Sequence, residues 1–160
     1  MIFEDAAIRE IYPQFPILLQ INALWATLGA LRGVHAATQN HNHWKVVTCV
    51  YGSVREGVVD LRKESSSFGK MESIDMSEND PSTLVIPPGF GHAVQGLSKQ
   101  SLVVYGTNVE YANNREFEIN PTDSNWEKFW EKPVVLSERD KSAPTFEEFI
   151  KSNKLEEENK

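Results

Sequence analysis

The chain opens with helical spacing and then abandons it. Between Phe3 and Tyr12 the apolar residues Phe3, Ala7, Ile8 and Ile11 recur every three or four positions, and Pro13 blocks continuation. A short amphipathic helix is expected there. From about Leu18 the period shortens. β-branched and aromatic runs occupy residues 17–24, 45–51, 54–61, 71–76, 82–86, 93–97 and 102–109. Between them stand the turn formers Tyr51-Gly52-Ser53, Asn79-Asp80-Pro81-Ser82 and Pro87-Pro88-Gly89-Phe90-Gly91. Many short strands at close spacing predict an all-β sandwich or barrel. Helical periodicity returns only after Pro144, where Phe146, Phe149 and Ile150 form an apolar face. The pattern therefore reads as a single domain over residues 1–150, followed by a polar tail at 151–160 that is expected to fray.

Composition narrows the function without naming it. A chain of 160 residues with 40% hydrophobic and 24% charged residues is of ordinary globular make-up. Sixteen basic against 23 acidic residues leave a net charge of −7, which opposes broad binding to nucleic acid or to an anionic membrane. A small anionic ligand held by a few local cations stays compatible with that balance. Cys49, the lone cysteine, lies in an apolar run and reads as a small buried hydrophobe without a disulfide partner. No apolar stretch reaches transmembrane length, and Met1-Ile2-Phe3-Glu4-Asp5 lacks the blocks of a signal peptide, so the expected location is the cytoplasm.

The chemistry-bearing residues fall into two short patterns. Pro87, Gly89 and His92 reproduce the Pro-x-Gly-x-x-His pattern of cupin barrels, in which a tight turn aims the histidine inward. The companion pattern, His-x-His followed by Glu and Gly, is only partly present. Gly52 fits its turn glycine, but ahead of it, across six intervening residues, where a metal-binding Glu would stand, is Lys45. An ammonium offers donors and no lone pair, so this position cannot ligate a metal. An inward-facing lysine needs an anion, or a developing negative charge, as partner. Val47, Cys49 and Tyr51 are expected on the same face of its strand, and Glu56 is a candidate contact. His41-Asn42-His43 is a His-x-His in its own right and reads best as a polar loop; a metal cupin using His41, His43 and His92 is the competing possibility.

Five segments, in order, resemble the dTDP-4-dehydrorhamnose 3,5-epimerase family. Leu31-Arg32-Gly33-Val34-His35 with Lys45 ten residues on is similar to the family's active-site segment. Residues 59–70, residues 86–92, the tyrosines Tyr105 and Tyr111, and Leu136-Ser137-Glu138-Arg139-Asp140 match its later motifs. The resemblance runs from about Gln20 to Asp140. It implies a cupin-type jelly-roll β-barrel with short N- and C-terminal helices, a homodimer, and no metal or cofactor. The implied substrate is a nucleotide-linked 4-keto-6-deoxy sugar, epimerised at C3, C5 or both through an enolate. By resemblance His35 is the base, Asp140 orients it, Lys45 stabilises the enolate oxygen and Tyr105 protonates the opposite face. Arg32, His92, Gln20, Asn22, Tyr111 and Arg139 are the implied substrate contacts.

Three departures stand beside these matches. Family members carry about two further strands ahead of the position of Met1. The polar segment around Gln20 and Asn22 becomes apolar as Ala23-Leu24-Trp25-Ala26, and Ala36-Ala37 follow His35 where the family has Tyr-Gln. Trp25 is expected either to stack on a ligand or to cover a dimer face. The alternative function is a non-catalytic cupin that binds a sugar nucleotide or a partner enzyme.

Overall fold

The computed structural model describes residues 4–37, 42–110 and 116–152. Helix α1 (Asp5–Ile11) is followed by eight strands in succession: β1 (Gln20–Thr27), β2 (Ala30–Ala36), β3 (Lys45–Tyr51), β4 (Ser53–Asp60), β5 (Met71–Ser77), β6 (Leu84–Ile86), β7 (Phe90–Gly96) and β8 (Gln100–Thr107). The short strands β9 (Phe117–Glu118) and β10 (Val135–Leu136) precede helices α2 (Glu138–Lys141) and α3 (Phe146–Lys151). One sheet has the order β1-β8-β3-β6, the other β10-β2-β7-β4-β5 with β9 also on β2. Every pairing is antiparallel except β10 with β2. The two sheets pack through Val47, Cys49 and Val103 on one side and Val54, Met76 and Val94 on the other, giving the expected jelly-roll-like barrel.

The apolar runs located most of the strands, and the differences have local causes. Strand β2 carries Arg32 and His35 but shows no alternation, because Gly33 and an extra residue interrupt it. Strand β7 starts at Phe90 and not at Ala93, since Gly91 and His92 break the apolar run inside the strand. Strands β9 and β10 span two residues each, too short for any periodicity to announce. The proposed fraying tail falls outside the described residues from 153 onward.

The extra residue in β2 shapes the site. Arg32 pairs with Val94 and His35 with His92, so three steps along β2 match two along β7. Residues three apart normally point to opposite faces of a strand; this bulge brings both to the same face. Gly33 makes it possible. Its φ is +113°, and a Cβ there would lie 2.5 Å from the His92 carbonyl oxygen and 2.8 Å from the Ala93 Cα. A second irregularity between Cys49 and Tyr51 turns Tyr51 outward, correcting the expectation that it shares the face of Lys45. Tyr51 instead meets Trp25 edge-on, with ring centroids 6.1 Å apart, on the outer surface.

The outer face of β2 is covered by the C-terminal segment. Leu31 and Val34 pack with Trp126, Trp130, Phe146 and Phe149. The fully buried Gln95 fastens this segment: its Nε2 donates to the Glu131 carbonyl at 2.7 Å and its Oε1 accepts from the Glu131 amide at 2.8 Å. Such fully satisfied buried amides fix one arrangement, because any other leaves their polar atoms unpaired. Thr145 and Glu148 close a capping box at the start of α3.

Gly33→Ala should destabilise the protein by about 2 kcal/mol or more, since an added Cβ meets backbone at an unfavourable φ. A lowered urea midpoint at unchanged m-value checks this.

Candidate active site

The two sheets enclose a cavity of about 210 Å³. Strand register assigns its walls. On the first sheet one row runs Gln20, Thr107, Lys45 and the next Asn22, Tyr105, Val47. On the second sheet the rows are Arg32, Val94, Glu56 and His35, His92, Val58. Val58 aside, all of these side chains line the cavity, together with His43, Glu110, Glu116 and Arg139. Strand β1 is inverted relative to an ordinary sheet. Its polar Gln20 and Asn22 face inward and bond to each other at 2.7 Å, while Ile21 and Trp25 face solvent. Trp25 therefore does not stack on anything in the cavity, and a role over an outer face is the one its position allows.

His35 and Asp140 come together through the parallel pairing of β10 with β2. That pairing ends at Leu136, and Ser137 then caps α2. Its Oγ donates to Asp140 Oδ2 at 2.6 Å and accepts from the Asp140 amide at 3.1 Å. Asp140 is consequently buried, neither a solvated loop residue nor the helix cap. Its Oδ1 accepts from the Gly33 amide at 3.3 Å and lies 3.5 Å from His35 Nε2. The latter contact is long for a hydrogen bond, so the two groups act on each other mainly as charge and dipole. Burial alone would raise the Asp140 carboxyl, but His35, Ser137 and the Gly33 amide together bring it below its ordinary value. The carboxylate is thus kept charged beneath the imidazole.

Lys45 bridges the sheets. Its Nζ is 2.9 Å from Glu116 Oε1 and 3.3 Å from His92 Nε2. A charged lysine only donates, so His92 Nε2 accepts and the proton on Nδ1 faces Glu56 Oε2, 3.3 Å away. Burial, then the charges of Lys45, His35 and His43, hold His92 well below its ordinary value, and it stays neutral. Glu56 is wholly buried and its Oε1 has no hydrogen-bond partner. Burial drives its carboxyl well above the ordinary value, with Lys45 acting in the opposite direction. The expected contact of Glu56 with Lys45 is therefore electrostatic, and His92 is its direct neighbour.

The residues singled out from sequence are placed as follows. His35, Lys45, Tyr105, Arg32, His92, Gln20, Asn22 and Arg139 all line the one cavity, and Asp140 supports it from behind. Arg139 is also ion-paired to Glu118. Tyr111 and His41 lie outside the described residues, while His43 is buried against the cavity with Nδ1 3.9 Å from Glu116 Oε1. Among the described residues no group of three His, Cys, Asp or Glu is arranged to hold a metal ion, and no helix is long and apolar enough to cross a membrane. Glu116 is the residue that sequence reasoning missed. The demand that Lys45 have an anionic partner was a signal for it, but a lone Glu in the polar run before β9 carries no spacing that selects it.

Fold and cavity together define a cupin-type barrel with a polar interior built around one lysine. Residues 2–148 match the family model described as dTDP-4-dehydrorhamnose 3,5-epimerase, and the chain belongs to that family of isomerases. It is 36% identical over 146 residues to the dTDP-4-dehydrorhamnose 3,5-epimerase of Mycolicibacterium smegmatis, covering 91% of this chain and 73% of that one. Among solved structures it is similar to the rmlC epimerase of Mycobacterium tuberculosis, with a TM-score of 0.90 and 32% identity over 96% of this chain and 78% of that one. It is similar also to ChmJ, a 3'-monoepimerase of Streptomyces bikiniensis in complex with dTDP-quinovose, with a TM-score of 0.88 and 29% identity over 96% and 78% of the two chains.

The raised Glu56 carboxyl has a signed consequence for stability. In the unfolded chain a glutamate ionises at roughly pH 4.3, its ordinary value. The folded protein holds the Glu56 proton to higher pH, so stability falls as pH rises through that window. Glu56→Gln removes the loss. Its stability relative to the parent should increase from about pH 4.3 toward neutrality, as followed by urea unfolding at a series of pH values.

Proposed function

We propose that this protein epimerises a dTDP-linked 4-keto-6-deoxy sugar at C3, C5 or both, by proton removal and return through an enolate. The observation that carries the reading is that His35, on the second sheet over Asp140, and Tyr105, on the first, line one cavity from opposite sheets, with Lys45 reaching across from the first sheet to His92 beside His35. Inversion of a carbon needs a base on one face and an acid on the other, and the two walls supply one each. The C4 carbonyl acidifies its neighbouring C–H bonds. His35 takes the proton, using the ring nitrogen turned away from Asp140, and the carboxylate stabilises the imidazolium that results. Negative charge then builds on the carbonyl oxygen, where the Lys45 ammonium stabilises it in a largely water-free site. Tyr105 delivers a proton to the opposite face; the His35 imidazolium then releases its proton to water and the Tyr105 phenolate regains one from water, which resets both groups.

Arg32 suits the anionic end of the substrate, because its guanidinium offers forked donors to a phosphate and, among the described residues, has no carboxylate partner. Gln20, Asn22, His92 and Arg139 complete the lining, with Tyr111 as a further proposed contact. A homodimer belongs to the same reading. It is supported by the outward apolar row of β1, where Ile21 is 65% and Trp25 59% exposed. Trp25→Glu should shift sedimentation from dimer to monomer.

Solvent deuterium should enter the sugar beside the keto group when the protein is incubated with dTDP-4-dehydro-6-deoxyglucose in D2O. His35→Ala should slow that exchange by about 10³-fold, the range of a general base, and Lys45→Met by about 10²-fold or more, as for loss of an oxyanion donor. Absence of exchange with the parent protein would sink the reading.

A further inference from the structure

The proton-transfer scheme has no use for Glu116. Yet its Oε1 accepts from Lys45 Nζ at 2.9 Å and lies 3.9 Å from His43 Nδ1. Both side chains are nearly buried, with exposures of 9% for Lys45 and 6% for His43, and the carboxylate itself is 16% exposed. One hydrogen bond, from Lys45 at the start of β3, and one longer electrostatic contact, from His43 just before it, thus meet at a single oxygen. In the epimerase scheme the oxygen at that point should belong to the substrate, as the carbonyl that gains negative charge when the adjacent proton leaves. A carboxylate oxygen copies an enolate oxygen in charge and in acceptor character.

Nor is the backbone at Glu116 placed by this contact. Strand β9 begins at the next residue and is held by pairing Phe117 with Ala36 and Glu118 with His35. The carboxylate is firmly ionised: burial would raise it, but Lys45 beside it, with His43 and His35, brings it below its ordinary value. The other cations of the cavity complete the picture. Arg139 is paired with Glu118, whereas Arg32 has no carboxylate partner among the described residues. The anchoring cation is open while the oxyanion position is taken.

The geometry points to Glu116 as an internal competitor for the oxyanion position, so that the carbonyl oxygen of a 4-keto sugar must displace its carboxylate from Lys45 before enolisation. This rests on the epimerase reading. A neutral carbonyl is a weaker acceptor than a carboxylate, so displacement costs free energy that the carbonyl alone does not return. Binding energy from the anionic nucleotide end, remote from the reacting carbon, supplies it. Glu116 is therefore a specificity-determining residue: it favours keto sugars that carry a nucleotide anchor over free keto sugars.

The test is the deuterium exchange above, run with the parent, Glu116→Gln and Glu116→Ala. Glu116→Gln should lower KM for the nucleotide sugar about tenfold, the equivalent of one charged hydrogen bond no longer displaced. Glu116→Ala should also lower KM, and added acetate should raise it again competitively by filling the vacated position, while acetate leaves the parent unaffected. An unchanged or raised KM in Glu116→Gln, with kcat reduced, would show that Glu116 only holds Lys45 in place and would overturn the inference. So would indifference of Glu116→Ala to acetate. If the parent itself gives no exchange, the epimerase reading fails. The competitor is then judged without turnover, by whether acetate shifts the Lys45 side-chain NMR resonance in Glu116→Ala and not in the parent; no shift overturns it.

Discussion

One buried positive charge organises the interior of this barrel. The Lys45 ammonium sits between the sheets with little access to water, and a cation in that position is tolerated only where anions and acceptors surround it. Glu116 supplies a full negative charge, His92 supplies a lone pair, and Glu56 lies one side chain further back. The same positive charge helps to keep His92 neutral, and burial keeps the Glu56 carboxyl high. Of the two carboxyl groups nearest the lysine, Glu116 is brought below its ordinary value by that charge, while burial pushes the wholly enclosed Glu56 above its own.

Much of this was readable from the residues, unevenly. Lys45 could be placed because it stands at a fixed distance before Gly52, in a strand with clear apolar character. His92 followed from the Pro87 and Gly89 turn. His35 was identified by its neighbours in sequence, but the strand that bears it was not, since a bulge destroys the alternation by which strands are recognised. The pairing of His35 with Asp140 depends on two-residue strand β10 and four-residue helix α2, elements without a periodic signature. Glu116 and the Glu56–His92 contact arise from tertiary proximity alone. Polar residues facing inward and apolar ones outward on β1 likewise defeat a reading in which hydrophobic means interior. That inversion is the mark of a barrel whose centre is a binding cavity at one end and a packed core at the other.

The two cores divide the labour. The cluster around Val47, Val54, Met76, Val94 and Val103 closes one end of the barrel and joins the sheets. The aromatic cluster of Trp126, Trp130, Phe146 and Phe149 lies outside it, against the back of the strand that carries His35. Rigid packing behind a strand is what allows a side chain on its front to be held to a fraction of an ångström. The cavity wall is thus stiffened from both sides, by core within and by the C-terminal segment without.

The placement of Asp140 bears on how the molecule is assembled. Gly33 and Asp140 are 107 residues apart in the chain yet share a hydrogen bond. The strand that bears His35 precedes every other strand of its sheet in the chain, and β10, which leads to Asp140, follows all the rest. A barrel with its other strands paired still lacks the carboxylate beneath the imidazole until β10 zips onto β2. The surroundings of His35 are therefore complete only once segments far apart in the chain have been brought together.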